Sequence, residues 1–191
     1  SAKDALTIQL GNDFSYSDIE EQVLISDKTV FNGSNYVDTG VTLLSEDRDF
    51  VLAIDCKMDS GNSNNAVLAQ CFSGLDTSGF KLTYNSGIKL LWGSSSATPF
   101  SVNNREMIVL RHIKGENGIY VYSSNTTGDS SYYVELSGIH SMVHNVSLVF
   151  GCSKLEDGSY ENYGLGTVYW SKVWYADLGD AVCKKIAYWP H

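Results

Sequence analysis

The sequence predicts an all-β protein, a two-sheet antiparallel jelly-roll β-sandwich with a short C-terminal helix. Three observations carry this. Turn residues punctuate the chain at short intervals, with 17 Gly against only 2 Pro. The segments between them mostly alternate apolar and polar residues with a period of two, as half-buried strands do. Several segments, such as Ile108-Val109-Leu110, are apolar on both faces, which suits central strands covered on two sides. Two sheets packed about 10 Å apart satisfy that pattern, and the second face can curve over a groove lined by aromatics.

In chain order, residues 1–28 lack the dense strand pattern and are assigned to an N-terminal arm or edge segment, with the domain occupying residues 29–191. Ser17 and Glu20 have capping-box spacing, predicting one or two helical turns that end near Leu24. Phe50, Leu52, Ile54, Cys56 and Met58 share one face of a strand, and Val51, Ala53, Asp55 and Lys57 take the other. A hairpin follows: Phe80, Leu82 and Tyr84 lead into Asn85-Ser86-Gly87, and Ile88, Leu90 and Trp92 return. Gly87 can supply the positive φ of that turn. A second hairpin joins Met107–Ile113 to Ile119–Ser123 through Gly115-Glu116-Asn117-Gly118, with Tyr120 and Tyr122 opposite Val121. Val146, Leu148, Phe150 and Cys152 form another alternating strand, and Thr167–Tyr175 a last, aromatic-rich one. A helix is predicted from Asp177. Asp177 and Asp180 sit at its positive end, Val182, Ile186 and Trp189 form an apolar stripe, Lys184 and Lys185 sit late, and Pro190 ends it. This helix should pack across an edge or open end of the sandwich.

Composition excludes several classes. With 43% hydrophobic and 12% aromatic residues, disorder over most of the chain is ruled out. The balance of 13 Lys plus Arg against 22 Asp plus Glu gives a net charge of −9, which repels nucleic-acid phosphates and anionic membrane surfaces. No apolar run approaches the roughly 20 residues needed to cross a bilayer, so membrane insertion is not expected. The polar start, Ser1-Ala2-Lys3-Asp4, has no signal-peptide core. Cys56, Cys71, Cys152 and Cys183 form no C-x-x-C pair and read as a reduced, buried set, with a Cys56–Cys71 bridge open only if their strands are neighbours.

The segment order from Val30 to the C-terminus resembles the concanavalin A-like lectin/glucanase superfamily, specifically its LamG-like jelly-roll domains. The resemblance rests on Phe31–Gly40, on the strand Asp49–Met58, on Arg105–Ser123 with Ile119-Tyr120-Val121, and on Gly166–Leu178. Leu43–Phe50 and Phe150–Lys154, with Asp157–Tyr163, are similar to LamG-type domains of bacteriophage structural and tail-appendage proteins. That likeness implies a virion-surface or extracellular location, with a bacterial surface polysaccharide and other virion proteins as partners; a homo-oligomer formed through the parent protein would fit the avidity that weak sugar binding needs.

Hydrolytic members of the superfamily carry paired acids on one strand as E-x-D-x-x-E. Asp55-Cys56-Lys57-Met58-Asp59 has the wrong spacing, and Glu46-Asp47-Arg48-Asp49 lies in a turn. A non-catalytic binding module is therefore expected, with no catalytic residue assigned. Sugar binding needs an aromatic platform with polar groups to fix the hydroxyls. The loop Glu156–Tyr163 offers Asp157, Tyr160, Asn162 and Tyr163, with Gly158 for close approach; the competing view is a solvated hairpin whose tyrosines fold back on the sandwich. Trp92, beside Gly93-Ser94-Ser95-Ser96, could stack a ring at a groove rim or belong to the core. Tyr120 and Tyr122 either line the second face or form cross-strand pairs. No cofactor is expected. A structural calcium ion could use Asp38, Asp47, Asp49 or Asp157, but none shows a defined ligand spacing and no metal residue is assigned. His140 and His144 read as an exposed pair, not a zinc site.

Overall fold

The computed structural model describes residues 19–125, 128–135 and 141–188. The first strands are β1 (Glu21–Ile25), β2 (Thr29–Asn32), β3 (Val37–Asp38), β4 (Phe50–Met58) and β5 (Val67–Ser73). Next come β6 (Ser78–Tyr84), β7 (Ile88–Trp92), β8 (Ser95–Phe100), β9 (Glu106–His112), β10 (Gly118–Asn125) and β11 (Gly128–Glu135). The last are β12 (Val149–Phe150), β13 (Ser153–Lys154), β14 (Tyr160–Glu161) and β15 (Leu165–Trp174), followed by helix α1 (Asp180–Ala187).

A seven-stranded sheet runs β1-β15-β4-β9-β10-β11, with β2 pairing the first half of β15 beside β1 on the second half. A six-stranded sheet runs β3-β12-β5-β6-β7-β8, and β13-β14 is a separate small hairpin. Every strand pairing is antiparallel, as predicted for a β-sandwich. Leu52, Ile54, Phe80, Leu82, Leu90, Ile108, Leu110 and Val121 fill the space between the two large sheets.

The second apolar face of the central strands has its own cover. Val51, Ala53, Val109, Tyr122, Trp170 and Trp174 pack beneath Cys183, Ile186 and Ala187 of α1. That face is thus a second core, not an aromatic groove. The helix starts at Asp180 rather than Asp177 because Gly179, at φ 85°, breaks the chain just before it. Asp177 instead holds Arg111 through two contacts of 2.7 and 3.2 Å, and accepts the Gly179 N–H at 2.9 Å. Trp189 and Pro190 lie outside the described residues, as does Ser17.

Two further expectations change. The turn predicted to end near Leu24 is the strand β1, whose residues 21–25 pair with β15 and add an edge to the large sheet. The alternating run from Val146 to Cys152 makes a ladder only at Val149–Phe150. Gly151 interrupts it at φ 91°, where a Cβ would lie 2.3 Å from the Phe31 ring, so the backbone turns tightly past that side chain.

Candidate functional site

The predicted sugar loop is the β13–β14 hairpin, which lies against the outer face of the smaller sheet, where Gln70 Nε2 donates to the Lys154 carbonyl at 3.2 Å. Its turn is held by Asp157, whose Oδ1 accepts from the Ser159 N–H at 2.9 Å and hydroxyl at 2.6 Å. Those bonds hold the Asp157 carboxyl below its ordinary range. Asn162 adopts φ 54°, and its carbonyl accepts the Val67 N–H at 2.9 Å, so its backbone ties the hairpin to β5 while its side chain stays exposed.

Asp38, on the edge strand β3, anchors the hairpin. Its Oδ1 accepts from Ser147 Oγ at 2.7 Å and the Gly40 N–H at 3.0 Å. Its Oδ2 accepts from Lys154 Nζ and from the Tyr160 hydroxyl, both at 2.8 Å. Burial opposes the charge, but the Lys154 ammonium and the other donors outweigh it and hold this carboxyl far below the ordinary carboxylate range. Donation to Asp38 in turn pushes the Tyr160 phenol up.

Tyr160 therefore folds back, and its ring stacks on Tyr36 at 4.1 Å with 26° between planes. Tyr163 meets Tyr36 at 6.3 Å and 56°. The platform of the cluster is Tyr36, which is 41% exposed. Sequence reasoning missed it, although the signal was present: Val37 packs toward the core, and period-two alternation turns its neighbour outward. The structure thus gathers Tyr160 and Tyr163 with Tyr36, leaves the exposed Asn162 amide donating to Glu161 Oε1 at 3.4 Å, and places Asp157 at the cleft on the hairpin's other side.

On that flank an open cleft of about 620 Å³ separates the hairpin tip from the β5–β6 turn and the 143–146 segment. Leu75, 83% exposed, and Val143 give it apolar surface; Asp76, His144, Glu156 and Asp157 give it polar groups. These acids are already committed. Glu156 Oε1 accepts from Ser73 Oγ at 2.9 Å and the Leu75 N–H at 3.0 Å, and Asp76 Oδ1 accepts from Ser78 Oγ at 2.6 Å. His144 accepts the Val146 N–H on Nδ1 at 3.1 Å, which leaves Nε2 to donate to the Cys71 carbonyl at 3.2 Å. Burial lowers its pKa and favours this neutral form.

Trp92 does not join the site. It is 0% exposed and tilts against His112 at 5.3 Å, because Ile88, Leu90 and Trp92 share the core face of β7. Tyr122 is likewise buried, donating its hydroxyl to Asp180 at 2.8 Å beneath α1, while Tyr120 pairs across strands with Tyr133 at 4.5 Å. The four aspartates considered for calcium fall in two places and are engaged within the fold: Asp38 and Asp157 at the hairpin, and Asp47 and Asp49 at the 114–115 turn, where Asp47 accepts from His112 and the Gly115 N–H and Asp49 from the Lys114 N–H. Among the described residues no three His, Cys, Asp or Glu side chains group as a metal site. His144 turns into the fold, and His140 lies outside the described residues. All four cysteines are buried, and Cys56 and Cys71 sit on strands of different sheets. Burial pushes the thiols of Cys71, Cys152 and Cys183 up to about 12.

No family model and no curated protein matches the chain. Its fold is similar to several solved structures. One is a mutant NanB sialidase from Streptococcus pneumoniae, with TM-score 0.61 and 11% identity over 84% of this chain and 27% of that one. A GH54 α-L-arabinofuranosidase gives TM-score 0.61 and 11% identity over 83% of this chain and 39% of its own. The CBM40 module of a Ruminococcus gnavus IT-sialidase, bound to α2,3-sialyllactose, gives TM-score 0.56 and 13% identity over 88% of this chain and 97% of the module. The chain thus spans only about a quarter of the sialidase but nearly the whole of the module, and it shares the β-sandwich fold of a carbohydrate-binding module.

Proposed function

We propose that this chain is a non-catalytic carbohydrate-binding or adhesion module that recognises bacterial surface glycan, carried on a phage virion as part of a tail or capsid appendage. The observation that carries the reading is the fold shared with a carbohydrate-binding module, together with a half-exposed Tyr36 ring braced from behind by Tyr160. Such a ring stacks the apolar face of a pyranose, and the exposed Asn162 amide of the same hairpin can serve hydroxyls. The resemblance to LamG-like phage domains supports the virion setting. A passive role is supported by the acids of the cleft: Asp76, Glu156 and Asp157 are each held below their ordinary titration range by hydrogen bonds within the fold, whereas a glycosidic general acid needs the opposite.

One observation favours a second reading, an assembly domain of a virion or cell-surface protein without sugar binding. Asp38, Lys154, Tyr160 and Glu156 spend their hydrogen bonds inside the fold. A glycan array with and without calcium separates the two. The first reading expects hits that Tyr36→Ala weakens at least about tenfold, the loss of one stacked ring and its buried area. An assembly domain binds nothing on the array. Release of reducing sugar from envelope polysaccharide would identify a divergent glycanase instead.

A further inference from the structure

A second groove, about 570 Å³ and open to solvent, runs between β8 and β11, the edge strands of the two sheets. It is pinned at one end, where Ser95 Oγ donates to the Glu135 carbonyl at 2.8 Å. Tyr132 stands in register with core-packed Val121 and shares a strand face with buried Val134, so its ring belongs to the inner face of its sheet. It is nevertheless 46% exposed. An aromatic ring there is ordinarily covered by the facing sheet. Here, among the described residues, the neighbouring strand brings only the short residues Ser95, Ser96, Ala97 and Thr98 to the groove wall. Tyr133 is fixed on the opposite face of β11 by its tilted ring contact with Tyr120 at 4.5 Å, with its hydroxyl 3.5 Å from Glu116.

The polar groups of this groove differ from those of the hairpin. Among the described residues, the hydroxyls of Ser96, Thr98 and Tyr132 and the carboxylate of Glu135 enter no hydrogen bond or ion pair. Uncommitted donors and acceptors beside an uncovered ring are what a sugar needs, the ring for its apolar face and the carboxylate for adjacent hydroxyls. Among the described residues no Lys, Arg or His lines the groove, and the chain carries a net charge of −9.

We propose that the β8–β11 groove is a second glycan-contacting site, apart from the Tyr36 hairpin, and that it takes neutral rather than acidic pyranose units. The proposal rests on the glycan-binding reading above and deepens it by naming a further site and its sugar class. Glu135 accepts hydroxyls of a neutral sugar and repels a sugar carboxylate.

The test is a backbone amide NMR titration of the wild type, Tyr36→Ala, Tyr132→Ala and Glu135→Gln with cellohexaose, chitohexaose and maltohexaose, and with 3′-sialyllactose as the acidic comparator. Tyr132 and Glu135 are exposed, and an unchanged apo spectrum away from β11 verifies that each variant folds. The expected result is saturable shifts at residues 95–98 and 132–135 with at least one neutral hexasaccharide. Those shifts survive Tyr36→Ala, weaken about tenfold in Tyr132→Ala, and are absent with 3′-sialyllactose unless Glu135 is replaced by Gln. Shifts confined to the hairpin and untouched by Tyr132→Ala would overturn the groove and leave the glycan reading standing. Binding of 3′-sialyllactose in the groove as tight as that of the neutral sugars would overturn the sugar class. Silence at both places with every probe overturns the groove, and an empty array then removes the glycan reading as well.

Discussion

At Asp38 a single carboxylate accepts four hydrogen bonds, from Ser147, Gly40, Lys154 and Tyr160, which join an edge strand, a loop and the β13–β14 hairpin. Removing the charge leaves buried donors short of a partner, so Asp38→Asn should cost about 1–3 kcal/mol at neutral pH in urea unfolding. The pH dependence has a definite sign. The folded carboxyl titrates below its ordinary value of 3.8, so its contribution is present above that value and fades as pH falls below it toward the folded pKa. The gap between wild type and Asp38→Asn should therefore be full near pH 7 and shrink progressively below about pH 4. An equal gap at pH 7 and pH 2.5 contradicts this. The residue scale is also where the sequence was least legible. Tyr160 and Trp92 are both aromatics beside Gly/Ser-rich turns, yet one sits with Tyr36 at the surface and the other is sealed in the core. What separates them is that Trp92 shares the core face of β7 with Ile88 and Leu90, whereas Tyr160 is drawn back by Asp38, a contact distant in the chain that no local window contains.

Among the elements, helix α1 and the 141–148 segment are held by opposite means. The helix docks through Cys183, Ile186 and Ala187 onto Trp170, Trp174 and Val109, so Ile186→Ala should cost about 2–5 kcal/mol and raise amide exchange throughout residues 180–187. Exchange rising in the β6–β7 hairpin instead would place the helix in a different cooperative unit. The 141–148 segment relies on a neutral His144 that accepts the Val146 N–H. Its folded pKa lies below 6.5, so the stability it gives is present above pH 6.5 and lost as pH falls through and below that value. Exchange protection at Val146 should then drop between pH 7 and pH 5 in the wild type, relative to the β6–β7 amides. Unchanged relative protection would contradict the assigned tautomer. Strands with a clean alternation, β4, β6 and β7, were legible because each has one face in the main core. β5 was not, because all seven of its residues are buried and the period vanishes. β11 was missed because Gly128-Asp129-Ser130-Ser131 reads as a turn, yet an edge strand tolerates such residues.

For the whole molecule, the sandwich was legible in the doubled apolar faces of the central strands, but not what covers them. The outer face of the large sheet is roofed by α1, and the grooves open instead at the hairpin and between the sheet edges. The acidic balance of the chain suits a module that meets neutral polymer rather than polyphosphate. The central claim is that this surface holds polysaccharide without cutting it. Affinity gel electrophoresis through purified bacterial envelope polysaccharides, with reducing ends assayed in the same samples, tests it most directly. The account predicts retardation by at least one polymer, relieved in part by Tyr36→Ala, with no new reducing ends. Free migration through every polymer, or chain cleavage accompanying retention, would contradict it.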